Sequence, residues 1–469
     1  MKVTDEELFE AAMGEAKDGR FPAAMALLQE LLLRDRSNAR AWNNLGIVRS
    51  KLGDPFGALV SYDQAIACDY GYADARNNRG VAFMDLDRPD LALAALEDAV
   101  ATEPAHYHAH INRGNALSLL GRRREARESY CAALAIQPDQ PNAHFGAALC
   151  ALALGDYENG WREFEWRWKT GTVGQRISTH KTWRGEDAGR TGLLLYGEQG
   201  FGDVLQFMRY APVVKQRWPR LKVYLEVRPS LARLAGTLRG IDGVVPIGTS
   251  LPPGVTHTAA LMSLPHIMST TVETIPAKVP YLWANPDAVD VWRRSLGQVT
   301  GLKVGLCWAG ASRPNQPGAE AINRRRSMTL AAFAPLAGKA TFVSLMDARN
   351  PAAREASSPP AGMRILDTSE GLDDFYDTAA LVGALDLVIA VDTAIVHLAG
   401  ALGKPVWLLS RFDACWRWLE GRKESPWYPT LRHFQQPKPG DWASVVREIA
   451  AALDELARNQ SYPDLRKAG

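Results

Sequence analysis

Three short segments hold the side chains whose types and spacing can do chemistry. In Gly197–Arg209 (GEQGFGDVLQFMR), Gly200 and Gly202 allow close backbone approach, and Asp203 stands at a helix start. A carboxylate there can accept a proton or cap the helix, with Glu198 as the reserve acid. In Leu385–Ser410 (LDLVIAVDTAIVHLAGALGKPVWLLS), an apolar strand ends at Asp392-Thr393, and a helix begins at once and carries His397 one turn in. Free amides and the positive dipole end at such a turn suit a diphosphate, with the Thr393 hydroxyl as a further donor. Capping of the helix by Asp392 and Thr393 accounts for the same residues equally well. In Val304–Thr329, a strand leads through Ala309-Gly310-Ala311-Ser312 to Arg324-Arg325-Arg326-Ser327. Arginines at a cleft edge neutralise phosphate oxygens and stabilise a leaving anion, although a charge run is more often a solvated face.

The elements that must position these segments follow from the apolar pattern. From about Thr191, short β-rich runs alternate with helical stretches. Leu193–Tyr196, Lys222–Val227 and Val244–Ile247 read as strands, Gly197–Gly202 as a loop, and Val204–Gln216 as one amphipathic helix. A polar helical connection over Pro286–Thr300 follows. The pattern then restarts with strands at Lys303–Trp308, Thr341–Leu345, Arg364–Leu366, Leu385–Val391 and Pro405–Leu409. Two successive sets of strand–loop–helix units predict two Rossmann-like halves with parallel sheets and a ligand cleft at the carboxyl ends of the strands. A final amphipathic helix starts after Asp441, with a frayed tail beyond Arg458.

Upstream the period is 34 residues. Gly46, Ala58, Tyr62 and Ala65 are followed by Gly80, Ala92, Leu96 and Ala99, and then by Gly114, Ala126, Tyr130 and Ala133. Pro104 and Pro138 close the second and third units. Ala24 and Leu28 mark a looser unit before these, and Gly160 and Phe164 one after. Small residues let paired helices approach, and units that cannot bury an apolar face alone must stack. The aromatic segment Tyr157, Trp161, Phe164, Trp166 and Trp168 reads as a capping helix that docks the array onto the next domain. The domain boundaries expected are 1–170, 171–298, 299–440 and 441–469.

Composition narrows the function classes. Lys+Arg is 54 and Asp+Glu 52, so no global charge draws the chain to nucleic acid or an anionic membrane. The five cysteines form no C-x-x-C pair, which argues against a disulfide framework or zinc ribbon and for reduced thiols in the cytoplasm. The first ten residues lack the pattern of a secretory signal, and no apolar run reaches the roughly 20 residues of a membrane span. No metal constellation stands out.

The repeats resemble the tetratricopeptide repeat. Asp392 to Pro405 is similar to the D-[ST]-x-x-x-H-L-A-x-A-L-G-x-P signature of heptosyltransferase-like glycosyltransferases. Asp374–Ala380 and Ser425–Pro429 look like bacterial proteins that fuse such repeats to such a domain, several of them linked to protein glycosylation, including that of flagellin. The resemblance covers essentially the whole chain. It implies an α-solenoid followed by a GT-B fold of two Rossmann-like domains (α + α/β), and an inverting, metal-independent, cytoplasmic transferase that takes a sugar from a nucleotide donor and needs no cofactor. By the same resemblance Asp203 is the base. Gly310, Arg326, Ser327, Ser344, Leu345, Asp392, Thr393 and His397 hold the donor, with Met346 where the family often has Gln. Gly202, Ser263 and His266 lie on the acceptor side. The partners expected are a nucleotide sugar and a protein acceptor recruited by the array. A lipid-linked or polysaccharide acceptor, and a scaffold with a decayed transferase domain, are the competing readings.

Overall fold

A computed structural model of the chain describes residues 3–174, 179–299, 301–369 and 371–458. The tail expected after Arg458 lies outside the described residues. The chain forms two compact units, Met1–Leu154 with Glu163–Thr170, and Gly155–Arg162 with Gly171–Gly469.

The first unit is helical. α1 (Asp5–Lys17) pairs with α2 (Phe21–Arg34), α3 (Ala39–Lys51) with α4 (Pro55–Cys68), α5 (Ala73–Asp85) with α6 (Pro89–Thr102), and α7 (Tyr107–Leu119) with α8 (Arg123–Ile136). α9 (Pro141–Ala153) packs on α8. The ends follow local chemistry. Thr4 and Glu7 form a capping box, and Asn38 and Asp54 accept the amides of Ala41 and Gly57. Pro104 and Pro138 stand just beyond α6 and α8, where no further helical amide is needed. The 34-residue period is a packing period. A Cβ at Gly46 would come within 2.4 Å of the Tyr62 ring, at Gly80 within 2.5 Å of Leu96, and at Gly114 within 2.7 Å of the Tyr130 ring. It recurs in the turns: Gly19, Gly53 and Gly121 take φ of 76°, 80° and 72°, and Asp87 holds the same left-handed position at 59°.

The aromatic segment expected to cap the array divides between the units. Phe164 packs on Phe145, and Trp166 stacks on His144 at 3.8 Å, within the first unit. Tyr157 and Trp161 are buried in the second, Trp161 standing edge-on to Phe207, Trp416 and Trp427.

Among the described residues the second unit has two sheets. β1 (Lys181–Thr182), β2 (Gly192–Tyr196), β3 (Lys222–Val227), β4 (Gly243–Pro246) and β5 (Val255–Ala260) lie in the order β1-β5-β2-β3-β4. β6 (Lys303–Cys307), β7 (Thr341–Ser344), β8 (Arg364–Leu366), β9 (Leu387–Val391), β10 (Val406–Ser410) and β11 (Leu431–Gln435) lie in the order β11-β10-β9-β6-β7-β8. Every pairing within them is parallel. β9 and β10 are buried along their whole length, as expected of unbroken apolar runs covered on both faces.

Three readings need correction. β1, β5 and β11 were not expected. The helix expected over Val204–Gln216 is two, Phe201–Phe207 and Tyr210–Arg217, because Pro212 has no N–H for the Met208 carbonyl, which accepts the Ala211 amide instead; at the break Arg209 Nε donates to the Gln206 carbonyl. The loop before Arg324 contains the helix Pro317–Arg326.

Candidate functional site

Both sheets reverse direction once. In the first, the chain runs β2-β3-β4 to one side and returns to β5 on the other side of β2. In the second it runs β6-β7-β8, then starts β9-β10-β11 on the other side of β6. The carboxyl ends at such reversals are where open parallel sheets hold ligands. Gly197–Gly202 follows β2 and Leu261–Ser263 follows β5; Trp308–Gly310 follows β6 and Asp392-Thr393 follows β9. The segments singled out for chemistry therefore stand at both reversals.

Asp203 is the third residue of Phe201–Phe207. Its Oδ2 accepts the Gly200 amide at 2.8 Å, so it does cap the helix. Its Oδ1 is held by the Arg417 guanidinium, from the segment after β10. Arg417 also donates to Gln206 Oε1 at 2.7 Å and contacts Cys415 Sγ at 3.1 Å. Gly202 packs on the His397 ring, since a Cβ there would lie 2.8 Å from Cδ2. Its lack of a side chain seats that histidine.

Around β6 and β9, Arg326 Nη1 donates to the Asp392 carbonyl at 2.8 Å and Nε to Asn323 Oδ1 at 3.2 Å. No carboxylate hydrogen-bonds Arg326 among the described residues. Burial lowers its pKa from the ordinary arginine value, Asp392 nearby opposes this, and Arg313 and Arg411 add to the lowering. Arg411 is itself paired with Asp413 at 2.8 Å, so Arg326 and Arg313 are the guanidinium groups there that a bound anion would relieve. Ser327 Oγ accepts the Gly310 amide at 3.0 Å. A Cβ at Gly310 would come within 2.5 Å of Arg326 Nη2, so this glycine makes room for the arginine. Neither side chain at the β9 turn caps the helix Ala394–Ala401. Asp392 Oδ2 accepts from Trp418 Nε1 at 3.2 Å, and the Thr393 hydroxyl lies 3.6 Å from Cys307 Sγ.

His397 is buried, with Nδ1 3.0 Å from the Tyr428 hydroxyl and its ring stacked on Trp418 at 5.5 Å. Burial first, and Arg417 second, push it down to about 4, so it is neutral at pH 7. The unfolded chain binds its proton near pH 6.5 and the folded one only near 4, so the stability it contributes is present above about pH 6.5 and is lost as pH falls toward 4. His433, also lowered chiefly by burial, acts with the same sign. Melting the wild type and His397→Gln from pH 7.5 to 4.5 should show a flatter fall in the variant, the difference being on the order of 3 kcal/mol. Parallel curves would contradict this.

Other expected residues stand apart from this chemistry. Ser344 and Leu345 are buried; the Leu345 amide bonds to the Leu306 carbonyl, and its side chain fills the space beside Gly305. Ser263 is buried after β5, and His266 is exposed on the next short helix. Sequence reasoning missed Arg417. It also missed Arg209, whose buried guanidinium reaches the Trp427 carbonyl at 2.6 Å and the Tyr281 hydroxyl at 3.0 Å. A lone arginine inside an aromatic cluster, as in Cys415-Trp416-Arg417-Trp418, is the one signal that could have drawn attention.

A sequence model of the tetratricopeptide repeat family matches residues 9–73, 48–106, 77–122 and 111–160. The N-terminal part of the chain is accordingly an array of tetratricopeptide repeats. The chain is similar to Protein FlbA of Caulobacter vibrioides, 26% identical over 353 residues, covering 67% of this chain and 55% of FlbA. It thus spans little more than half the length of that relative. Among solved structures it is similar to PilW, described as a widely conserved type IV pilus biogenesis factor, at 24% identity over 37% of this chain and 81% of PilW, with a TM-score of 0.34. It is also similar to TTC0263, a tetratricopeptide repeat protein of Thermus thermophilus, at 23% identity over 34% of this chain and 89% of that one, with a TM-score of 0.31. Among the described residues no helix is long and apolar enough to cross a membrane.

Proposed function

We propose that the chain is an inverting glycosyltransferase of the GT-B type, working in the cytoplasm. It transfers a sugar from a nucleoside-diphosphate donor to a hydroxyl of a protein, flagellin being one candidate. The observation that carries this reading is Arg326, which lies beside Asp392 with Arg313 and Arg411 nearby and donates its hydrogen bonds to a backbone carbonyl and a side-chain amide rather than to a carboxylate. In the reaction the acceptor oxygen bonds to the anomeric carbon while the bond from that carbon to the diphosphate oxygen breaks. The electron pair leaves with the nucleoside diphosphate, where the arginines meet its charge, and the hydroxyl proton passes to Asp203. The arginines perform the charge neutralisation that a metal supplies elsewhere. The tetratricopeptide array supports a protein acceptor, since stacked helical repeats offer extended surfaces to polypeptides.

The test is the melting temperature with UDP, GDP, ADP, dTDP and CMP. A ligand that binds only the folded state adds about 2.7 kcal/mol of stability at a hundredfold excess over its Kd. One nucleotide should raise Tm clearly, and Arg326→Ala should remove the rise. A well-folded chain that responds to none of them is a scaffold.

A further inference from the structure

The Arg417–Asp203 pair stands in the way of the proposed transfer, and its resolution rests on that proposed function. A base must present a carboxylate oxygen to the acceptor hydroxyl. Each oxygen of Asp203 already accepts one bond, Oδ2 from the Gly200 amide and Oδ1 from Arg417, so a proton taken at Oδ1 would sit against a guanidinium N–H. The Gly200 bond is local and belongs to the helix turn. The Arg417 bond comes from 214 residues away in sequence, across the two sheets.

Arg417 is held in a way that suits two positions. It is buried, stacked on Trp416 at 4.4 Å, and fixed at Nε by Gln206 Oε1. Only its Nη2 reaches Asp203, so the guanidinium can stay on Gln206 and Trp416 while that one nitrogen changes partner. Trp418, the next residue, donates Nε1 to Asp392 Oδ2 at 3.2 Å, and Arg326 bonds the Asp392 carbonyl at 2.8 Å. The segment of Arg417 therefore borders the turn assigned to the diphosphate as well as Asp203. The segment that carries it ends at Leu419, whose φ of 56° and ψ of 150° are costly for a leucine.

We propose that Arg417 is a positioning residue that changes partner. Before the donor binds it holds Asp203; when the donor's diphosphate arrives, Nη2 passes to a phosphate oxygen and frees Asp203 Oδ1 for the acceptor's proton. A phosphate oxygen of a dianion competes well with a carboxylate for a guanidinium nitrogen. The base is thus presented only after the donor is seated.

The test is a double-mutant cycle on the full chain. Its probe is the nucleoside diphosphate of the panel that raises Tm most, with Kd measured by calorimetry. Asp203 competes with the nucleotide for Arg417, so Asp203→Asn tightens binding, by about tenfold. In an Arg417→Gln background the same change has no such effect, because no competition remains. The loss of a negative charge near an anion would also tighten binding, but equally in both backgrounds, and this is what the cycle separates. Arg417→Met, which removes the charge and keeps much of the volume, replaces Arg417→Gln if that variant does not fold. An equal gain in both backgrounds, or weaker binding in Asp203→Asn, overturns the change of partner and leaves the proposed function standing. Failure of every nucleoside diphosphate to bind the wild type overturns both.

Discussion

On the proposed reaction, Asp203→Asn is expected to lower the rate of sugar transfer by about a thousandfold, the range for removal of a positioned general base. The substitution is nearly isosteric. The amide oxygen can still accept the Gly200 amide, which is bonded at 2.8 Å, so the turn into Phe201–Phe207 is retained. What disappears is the capacity to take a proton. The loss must therefore fall on kcat, with the donor still bound and the thermal shift with the chosen nucleotide preserved or enlarged. Steady-state rates with donor and acceptor saturating give the number. A variant that keeps more than a tenth of the wild-type rate assigns the proton to another group, and Glu198→Gln is the variant to examine next.

Arg209→Met costs about 4 kcal/mol of stability, the sum of several buried acceptors losing their donor. The guanidinium is buried and its partners are carbonyls and a phenol: Gln206 O at 2.8 Å, Trp427 O at 2.6 Å, Pro276 O at 3.4 Å and the Tyr281 hydroxyl at 3.0 Å. The rings of Tyr281 and Tyr428 lie 4.6 and 4.5 Å from its central carbon. Methionine fills much of the volume but leaves buried acceptors unpaired, at about 1–3 kcal/mol each before relaxation. Arg209→Lys recovers little, because one ammonium cannot span acceptors contributed by four segments. The denaturant midpoint of the α/β unit reads this, and a change under about 1 kcal/mol in Arg209→Met would contradict it.

Legibility in the sequence followed the range of the interactions. The repeats were plain because each glycine answers a residue sixteen positions on, within one helical hairpin, as Gly46 answers Tyr62 and Gly114 answers Tyr130. β9 and β10 were plain because both faces are covered and the run is unbroken. β5 (VTHTAA) and β11 (LRHFQ) were hidden by polar residues, Thr256, Arg432 and Gln435 exposed and Thr258 and His433 buried. The turns after β2, β6 and β9 were found by their own residue types, but their detailed roles were not. Gly202 and Gly310, expected on the acceptor and donor sides, make room for His397 and Arg326, which their local sequence did not foretell. Ser344 and Leu345, taken from the resemblance, turn their side chains into the core. Arg209 and Arg417 escaped notice because their partners are 218 and 214 residues away, a separation that no local pattern encodes.

The two halves of the α/β unit are joined by fastenings of unequal strength. At one, Arg209 is sunk among carbonyls and rings, and the amides of Tyr281 and Leu282 both turn to the Ala401 carbonyl. At another, Arg233 meets Asp374 and Asp377 at 3.2 Å across an exposed surface, where an ion pair is worth about 0–1 kcal/mol. Salt screens the exposed pair and leaves the buried arginine untouched, so raising ionic strength weakens the contact at Arg233 while the contact at Arg209 holds.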